Sequence, residues 1–543
     1  MAQQDWRKSV VYQIYPKSFN DTTGDGHGDL RGIIEKLDYL QFLGVDYLWL
    51  TPIYDSPMND NGYDIRDYYK VNPAFGSESD LRELITKAHD KGLKIMLDIV
   101  FNHTSTEHKW FQEARQSAES PYRDYYFFKT SENGPPTNWL SKFGGNAWAF
   151  DDEANAYYLH LFDKTQADLN WDNEAVRHAL YDIVNYWIEF GVDGFRFDVI
   201  NLISKGKFEH SPAIGKEYYT DGPRVHEFLH EMNQRTFGHH DIMTVGEMSS
   251  TTLEHCIRYT KPERQELHSV FNFHHLKVDY RDGEKWTNQT FDLHQLKEIL
   301  MRWQTGIYEG GGWNAIFWCN HDQPRVVSRF GVDDNEVMRK RSAKTLAIVL
   351  HLLQGTPYIY QGEEIGMTNP YFNTIDQYRD VESLNAYEAL RTQGETKEEA
   401  LNILGQKSRD NSRTPMQWNQ EQHGGFTTGT PWIDVAPNYK HINVEAAIQD
   451  PDSILYTYKK LIQLRHDEDI VTYGAIVPRC MDHPQLFVYE RQYKEVRWLI
   501  VANMTHETVK IPETLEMSDD VVIQSGDVHD GYLEPYAARV TVI

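Results

Sequence analysis

Four short segments end on groups capable of acid–base or nucleophilic work: DIVFNH at His103, GFRFD at Asp198, VGE at Glu247 and NHD at Asp322. Each is an apolar or β-branched run that stops on a carboxylate or an imidazole. A buried strand of a barrel delivers a reactive side chain to its C-terminal rim in this way. Arg196 stands two residues before Asp198, so on one strand the two side chains share a face. Its guanidinium is expected to keep Asp198 ionised, as a nucleophile requires. Glu247 closes a wholly apolar stretch, a setting that raises a carboxyl pKa and suits a general acid. Asp322 supplies a third carboxylate, able to bind ring hydroxyls or stabilise positive charge. Cleavage of a glycosidic bond needs such a set: one carboxylate beside the anomeric carbon and one acid at the leaving oxygen. His103 and His321, each beside an Asn, can donate hydrogen bonds to sugar hydroxyls.

The elements that would position these residues follow from the pattern of short apolar runs. Strands are predicted over Val10–Tyr15, Tyr47–Leu50, Ile95–Val100, Gly194–Phe197, Met243–Val245, Val270–Phe273, Ala315–Trp318 and Pro357–Tyr360. Helical spacing fills most of the intervals, as over Leu30 to Leu43 and Val176 to Phe190. Eight strands, each followed by a helix, predict an α/β chain folded as a (β/α)8 TIM barrel. An open doubly wound sheet is the alternative, but it gives no reason for reactive groups after the third, fourth, fifth and seventh strands alike. The stretch 104–168 is dominated by Gly, Pro, Asn, Trp and Tyr, and no good helix is written in it. It is read as an irregular inserted domain after the third strand. The barrel would then comprise 1–103 and 169–468, with a further insert near 369–452. Alternating runs such as Leu486–Tyr489 and Trp498–Val501 predict an antiparallel C-terminal β-sandwich domain over 469–543.

Bulk properties narrow the partners. The chain has 543 residues and a net charge of −27, from 54 basic and 81 acidic residues. That field argues against nucleic acid and anionic membrane surfaces. An anionic substrate would need a local basic patch. Cys256, Cys319 and Cys480 are too few and scattered for a disulfide framework. No run approaches the ~18 apolar residues of a membrane span, and no leader pattern is seen. A cytoplasmic monomer is the expectation. His226 to His230 spells H-E-x-x-H, a zinc-protease pattern, but it sits among Leu and Phe on a predicted helix and is read as packing.

Together with YQIYPKSFND, NGYDI, QADLNW, GTPYIYQGEE and SRDNSRTPMQW, the four segments resemble glycoside hydrolase family 13, the α-amylase family, over essentially the whole chain. Within it the chain is most similar to the oligo-1,6-glucosidase branch, and there to members acting on trehalose 6-phosphate, through YTDGPRVHEFLHEMN, TVGEMSSTTLEHCIRY, FNFHHLKVDYRDGEKW and WCNHDQPR. The resemblance implies a retaining α-glucosidase with Asp198 as nucleophile, Glu247 as acid/base and Asp322 as transition-state stabiliser. It implies that Asp60, Tyr63, His103, Arg196, His321 and Arg413 line the first glucose subsite. Val199 looks like the residue of enzymes that prefer α-1,6 or trehalose-type links. The loop Asp21–Asp29 resembles the calcium loop of this branch. Asp21, Asp25 and Asp29, with Thr23 and the His27 carbonyl, would surround Ca2+. Thr23 stands where Asn is usual, and Mg2+ or an empty loop are the alternatives. No organic cofactor is implied. After the sixth strand, His274, His275, Lys277 and Lys285 form a basic group that would meet the phosphate of trehalose 6-phosphate. The alternative substrate is an isomaltose-type oligosaccharide. A catalytically silent sugar-binding or transporter-associated barrel is the alternative of another class.

Overall fold

The computed structural model describes residues 5–543, and among these eight parallel strands form the central sheet. They are β1 (Val11–Ile14), β2 (Tyr47–Leu50), β3 (Lys94–Val100), β4 (Gly194–Asp198), β5 (Met243–Glu247), β6 (Ser269–Phe271), β7 (Ala315–Ile316) and β8 (Thr356–Tyr360). Neighbours in the sheet run β6-β5-β4-β3-β2-β1-β8-β7. A parallel bridge between Val270 and Asn314 joins its two ends, so the sheet closes as a barrel. All eight predicted strands are present. Every residue of β1, β2, β4, β5 and β8 is buried, as strands covered on both faces must be.

Helices pack around the barrel: α1 (Leu30–Glu35), α2 (Glu78–Asp90), α3 (Glu174–Phe190), α4 (Val225–Arg235), α5 (Leu293–Gly310), α6 (Glu336–His351) and α7 (Ile454–Asp467). α2 starts on a capping box in which the Ser77 hydroxyl and the Asp80 carboxylate exchange bonds with each other's N–H. α3 starts on Asn173 and stops at Gly191, whose φ of 110° is the left-handed C-terminal stop. It turns Val176, Leu180, Ile183, Val184 and Trp187 inward. The helical run from Leu30 is broken at Lys36 into two short helices, ending at Glu35 and Leu43.

The 104–168 stretch differs from the sequence reading in one respect. It contains an α-helix, Lys109–Gln116, capped by the His108 ring and buried along Trp110, Phe111 and Ala114. Histidine is not among the usual N-caps, which hid the start. The stretch also holds a three-stranded antiparallel sheet of Phe128–Lys129, Ala156–Leu159 and Trp148–Asp151. Its own apolar cluster (Trp139, Trp148, Leu159, Leu161) includes Val199 and Leu202, so it packs onto the chain just past β4. Beyond α7, five antiparallel strands form a second sheet, built on Leu486–Tyr493 and Val496–Asn503, with a separate three-stranded sheet beside it. Cys256, Cys319 and Cys480 are unpaired. Among the described residues, no helix is long and apolar enough to cross a membrane.

Candidate active site

Parallel register places the first pair. Arg196 of β4 lies opposite Asp98 of β3, and Asp198 opposite Val100. The Arg196 guanidinium donates to three carboxylates at once: Asp98 at 2.9 Å, Asp198 at 2.7 Å, and Glu247 from its other nitrogen. Glu247 reaches it because β5 pairs with β4 in register. Gly246 makes room there, since a Cβ would meet Leu267, Met248 and Ile200 at 2.6–3.0 Å. Just after Asp198 the chain turns through Val199, a β-branched residue held at φ 35°. Such a residue costs about 1–3 kcal/mol in this conformation and is a mark of functional turns.

One guanidinium shared by three acids is not enough to keep Asp198 acidic. Burial pushes its carboxyl up to about 7, with Asp98 and Asp322 adding to the rise, against the pull of Arg196. The pull of Arg196 expected from the sequence is present, and burial opposes it. Asp322 is the reverse case. Burial works against its charge, but His321 while its ring is protonated, and Arg409 and Arg413 at every pH, outweigh it and hold the carboxyl well below the usual range. Arg413 donates to Asp322 at 2.7 Å and to the His321 carbonyl at 2.8 Å.

The remaining sugar-site residues gather on the same wall. The Tyr63 hydroxyl donates to Asp98 at 2.9 Å, and its ring stacks on His321 with centroids 5.2 Å apart. His321 pairs with the Gln13 amide at 2.7 Å, and His103 bonds the Tyr63 carbonyl at 3.0 Å. Burial pushes both imidazoles down, to about 3 for His321 and about 4 for His103, so both are neutral at pH 7. Burial likewise pushes Asp60 up to about 7; it accepts from Gln166 at 3.0 Å and from Arg409 at 3.4 Å.

A cavity of about 450 Å³ opens over this floor and is lined by Asp60, Tyr63, His103, Asp198, Glu247 and Asp322. Its mouth carries Lys142, Lys216, Lys277 and Lys285. A slightly larger hollow, about 490 Å³, lies at the opposite ends of the strands around Trp6, His268 and Trp313 and contains none of these groups.

Of the four proposed phosphate ligands, His274, Lys277 and Lys285 line the cavity over the carboxylates together, and His275 does not. His275 is buried away from the cavity, its Nε2 on the Phe317 carbonyl. His274 bonds the Thr251 carbonyl and stacks on Trp303. Lys285 is ion-paired with Glu382 at 2.9 Å. Lys277 lines the cavity and, among the described residues, makes no ion pair. Asp98, Gln166, Arg409, Lys142 and Lys216 were missed. Arg409 was in plain view in SRDNSR, four residues before Arg413, Asp98 in the third strand and Gln166 at the head of QADLNW; nothing local marks the two lysines.

Among the loop residues, Asp21 accepts from the N–H groups of Thr23, Gly24 and Gly26 and from the Thr427 hydroxyl. Asp29 caps α1 through Gly32 and accepts from Thr22. Asp25 accepts from the His27 N–H, and both are only weakly engaged. The donor set is oxygen-rich, but proton donors already fill Asp21 and Asp29, which fits a cation poorly. Among the described residues, the single trio of side chains close enough to hold a metal is Asp527, His529 and Glu534 on the C-terminal sheet. His226 and His230 hold none: His226 bonds Glu266 and His255, and His230 the Arg264 carbonyl.

A closed barrel with three carboxylates and three arginines at its C-terminal rim defines a glycoside-cleaving site. In agreement, the model of the α-amylase catalytic domain matches residues 13–474, and the chain belongs to that family of glycoside hydrolases. It is 58% identical to trehalose-6-phosphate hydrolase of Bacillus subtilis (strain 168), over 98% of this chain and 97% of that one. It is 50% identical to oligo-1,6-glucosidase of Bacillus cereus, over 99% of both. The crystal structure of trehalose-6-phosphate hydrolase from Bacillus licheniformis superposes with a TM-score of 0.95 at 55% identity, covering 99% of both chains.

Proposed function

We propose that this chain is a retaining α-glucosidase that splits trehalose 6-phosphate into glucose and glucose 6-phosphate. Asp198 attacks the anomeric carbon, and the bond to the leaving sugar breaks as Glu247 gives that oxygen its proton. Glu247 then takes a proton from water, whose oxygen displaces Asp198 from the sugar. The observation that carries this reading is the single Arg196 fork touching both carboxylates. It suits the short spacing, ~5–5.5 Å, at which one acid is a nucleophile rather than a water-activating base. Asp322, held ionised by Arg409 and Arg413, would stabilise positive charge on the ring. Asp60, Tyr63, His103, His321 and Arg413 would hold the attacked glucose.

The basic mouth supports a phosphorylated substrate in a chain of net charge −27. Isomaltose-type substrates are the second reading, supported by the 50% identical oligo-1,6-glucosidase and by Val199 in the cavity wall. A silent barrel has no comparable support, because all three carboxylates face the cavity. A monomeric, cytoplasmic protein is proposed with this reading; the unpaired cysteines support the compartment and not the oligomeric state. Ca2+ in the 21–29 loop is proposed on residue types alone, and no chemical step uses it.

Rates on trehalose 6-phosphate, trehalose, isomaltose, maltose and sucrose test the substrate. A kcat/KM at least about tenfold higher on trehalose 6-phosphate than on isomaltose is expected. A preference for isomaltose would overturn the first reading in favour of the second.

A further inference from the structure

The ladder between β4 and β5 stops just short of the two groups whose spacing matters. Its last paired residues are Phe197 and Gly246, so Asp198 and Glu247 lie beyond it. Both segments then leave through left-handed residues that are not glycine, Val199 at φ 35° and Ser250 at φ 57°. The segment after Asp198 is packed in place. Ile200–Leu202 form a single 3-10 turn, and Val199 and Leu202 are buried in the apolar cluster of the inserted stretch. The segment after Glu247 is held less: Met248 is buried, but Ser249 and Ser250 are half-buried.

Past the strand ends one side chain resumes the pairing. The fully buried Asn201 accepts the Ser249 N–H at 2.8 Å and donates to the Ser249 carbonyl at 2.9 Å. The two bonds imitate one rung of a sheet. They run from a side chain three residues past Asp198 to the backbone two residues past Glu247. The two carboxylates are thereby bracketed, with the Phe197–Gly246 pair on one side and the Asn201–Ser249 bridge on the other. A side-chain amide makes this bridge only with its nitrogen and oxygen the right way round. Asp221 fixes that choice, because its carboxylate accepts from the Asn201 nitrogen at 3.1 Å and has no proton to offer an oxygen. Asp221 is itself tied down. Its N–H donates to the Asn201 carbonyl at 3.0 Å, and its carboxylate accepts from the hydroxyl of Tyr259, on the helix Leu253–Thr260 that follows β5. Gly222 allows the close approach, since a Cβ there would meet the Ser204 carbonyl oxygen at 1.8 Å. Asn201, Asp221 and Tyr259 do not line the cavity, so any effect on the reaction passes through the groups they hold.

We propose that Asn201, oriented by Asp221, is a positioning residue that holds Glu247 at the departing oxygen. This rests on the α-glucosidase reading, in which Glu247 is the acid/base, and deepens it. When the amide is removed, the end that gains freedom is that of Glu247, because the Asp198 side stays packed. Proton transfer needs the acid within hydrogen-bond reach of the leaving oxygen. Attack by Asp198 does not depend on that reach, so the loss should grow with the need of the leaving group for a proton.

The test compares kcat/KM on p-nitrophenyl α-glucoside, whose nitrophenolate departs with little help, with kcat/KM on phenyl α-glucoside, whose phenolate needs more. Their ratio does not depend on how much of a preparation is folded, so a variant that is merely destabilised keeps the wild-type value. Asn201→Ala and Asn201→Asp should each raise the ratio about tenfold, part of the ~10²–10⁴-fold that a placed acid supplies. Asn201→Asp keeps the shape but sets an oxygen against the Asp221 carboxylate and the Ser249 carbonyl, and it carries the test if the alanine variant is insoluble. Asp221→Ala should raise the ratio, and Asp221→Asn, whose oxygen still accepts, should return it to the wild-type value. Glu247→Gln sets the scale and should raise it most. If Glu247→Gln leaves the ratio unchanged, Glu247 is not the acid and the underlying reading falls. If Glu247→Gln raises it while the Asn201 variants keep the wild-type ratio, the positioning role falls and the reading stands.

Discussion

Arg196 is the residue on which the site turns, and the arithmetic around it is unbalanced. One guanidinium faces Asp98, Asp198 and Glu247, all taken out of water. Strand-end carboxylates were legible in the sequence because each terminates an apolar run. Their protonation was not, since Asp98 belongs to another strand and enters only through parallel pairing. The consequence is a sign that can be measured. A carboxyl raised from 3.8 to about 7 on folding is protonated more readily in the folded state. Its contribution to stability is complete below pH ~4 and is lost as pH rises through 7. Asp198→Asn removes that penalty. At pH 8 the variant should be more stable than wild type by about 1–3 kcal/mol, taking one pKa unit as 1.36 kcal/mol and discounting for a shared cluster. At pH 4 the two should match. Turnover should drop by at least ~10³-fold in the same variant. Equal thermal midpoints at pH 8 would mean that Arg196 holds Asp198 ionised after all. The acidic limb of kcat/KM in the wild type should fall near pH 7, because the attacking carboxylate must be ionised.

At the scale of elements, the strands were legible and their connections were not. Period and β-branching mark a buried strand within a few residues, and all eight starts fall within one residue of prediction. The helix Lys109–Gln116 was hidden by its His108 cap, and the break at Lys36 has no Gly or Pro to announce it. The 21–29 loop shows the same limit from the other side. Its acids at alternating positions spell a cation site, yet Asp21 is already met by three N–H groups and a hydroxyl that arrives from Thr427. That last contact joins positions 406 residues apart and is invisible in the local motif. The Ca2+ proposal can therefore be decided by linkage. An ion that binds only the folded state stabilises it by about 2.7 kcal/mol at a hundred times its Kd. Millimolar Ca2+ should raise the thermal midpoint by a few degrees over EGTA and leave kcat unchanged. Identical midpoints remove the ion from the account.

At the scale of the whole molecule, the C-terminal sheet supplies no residue to the cavity yet covers the outside of the barrel. It packs on α6. The Tyr489 hydroxyl donates to the Val349 carbonyl at 2.7 Å, and the Thr345 hydroxyl to the Tyr536 carbonyl at 2.6 Å. Arg491, fully buried, reaches the carbonyls of Leu352 and Gly474, and Lys297 of α5 reaches that of Leu486 at 3.1 Å. These lysine and arginine side chains bond carbonyls across the seam and, among the described residues, form no ion pair, so their charge is tolerated only while the sheet stays docked. Apolar packing adds to the coupling: Phe487, Tyr489, Ile500, Ala538 and Val540 belong to the same core cluster as the barrel strands. Each large apolar side chain in that seam is worth about 1.5–3 kcal/mol, and the whole stability of a domain is only ~5–15 kcal/mol. Removing residues 475–543 should therefore leave a chain that aggregates or unfolds, although every group that touches sugar remains. Soluble yield and residual activity of that truncation measure it. A soluble truncated enzyme with wild-type turnover would show that the barrel closes its core without this sheet.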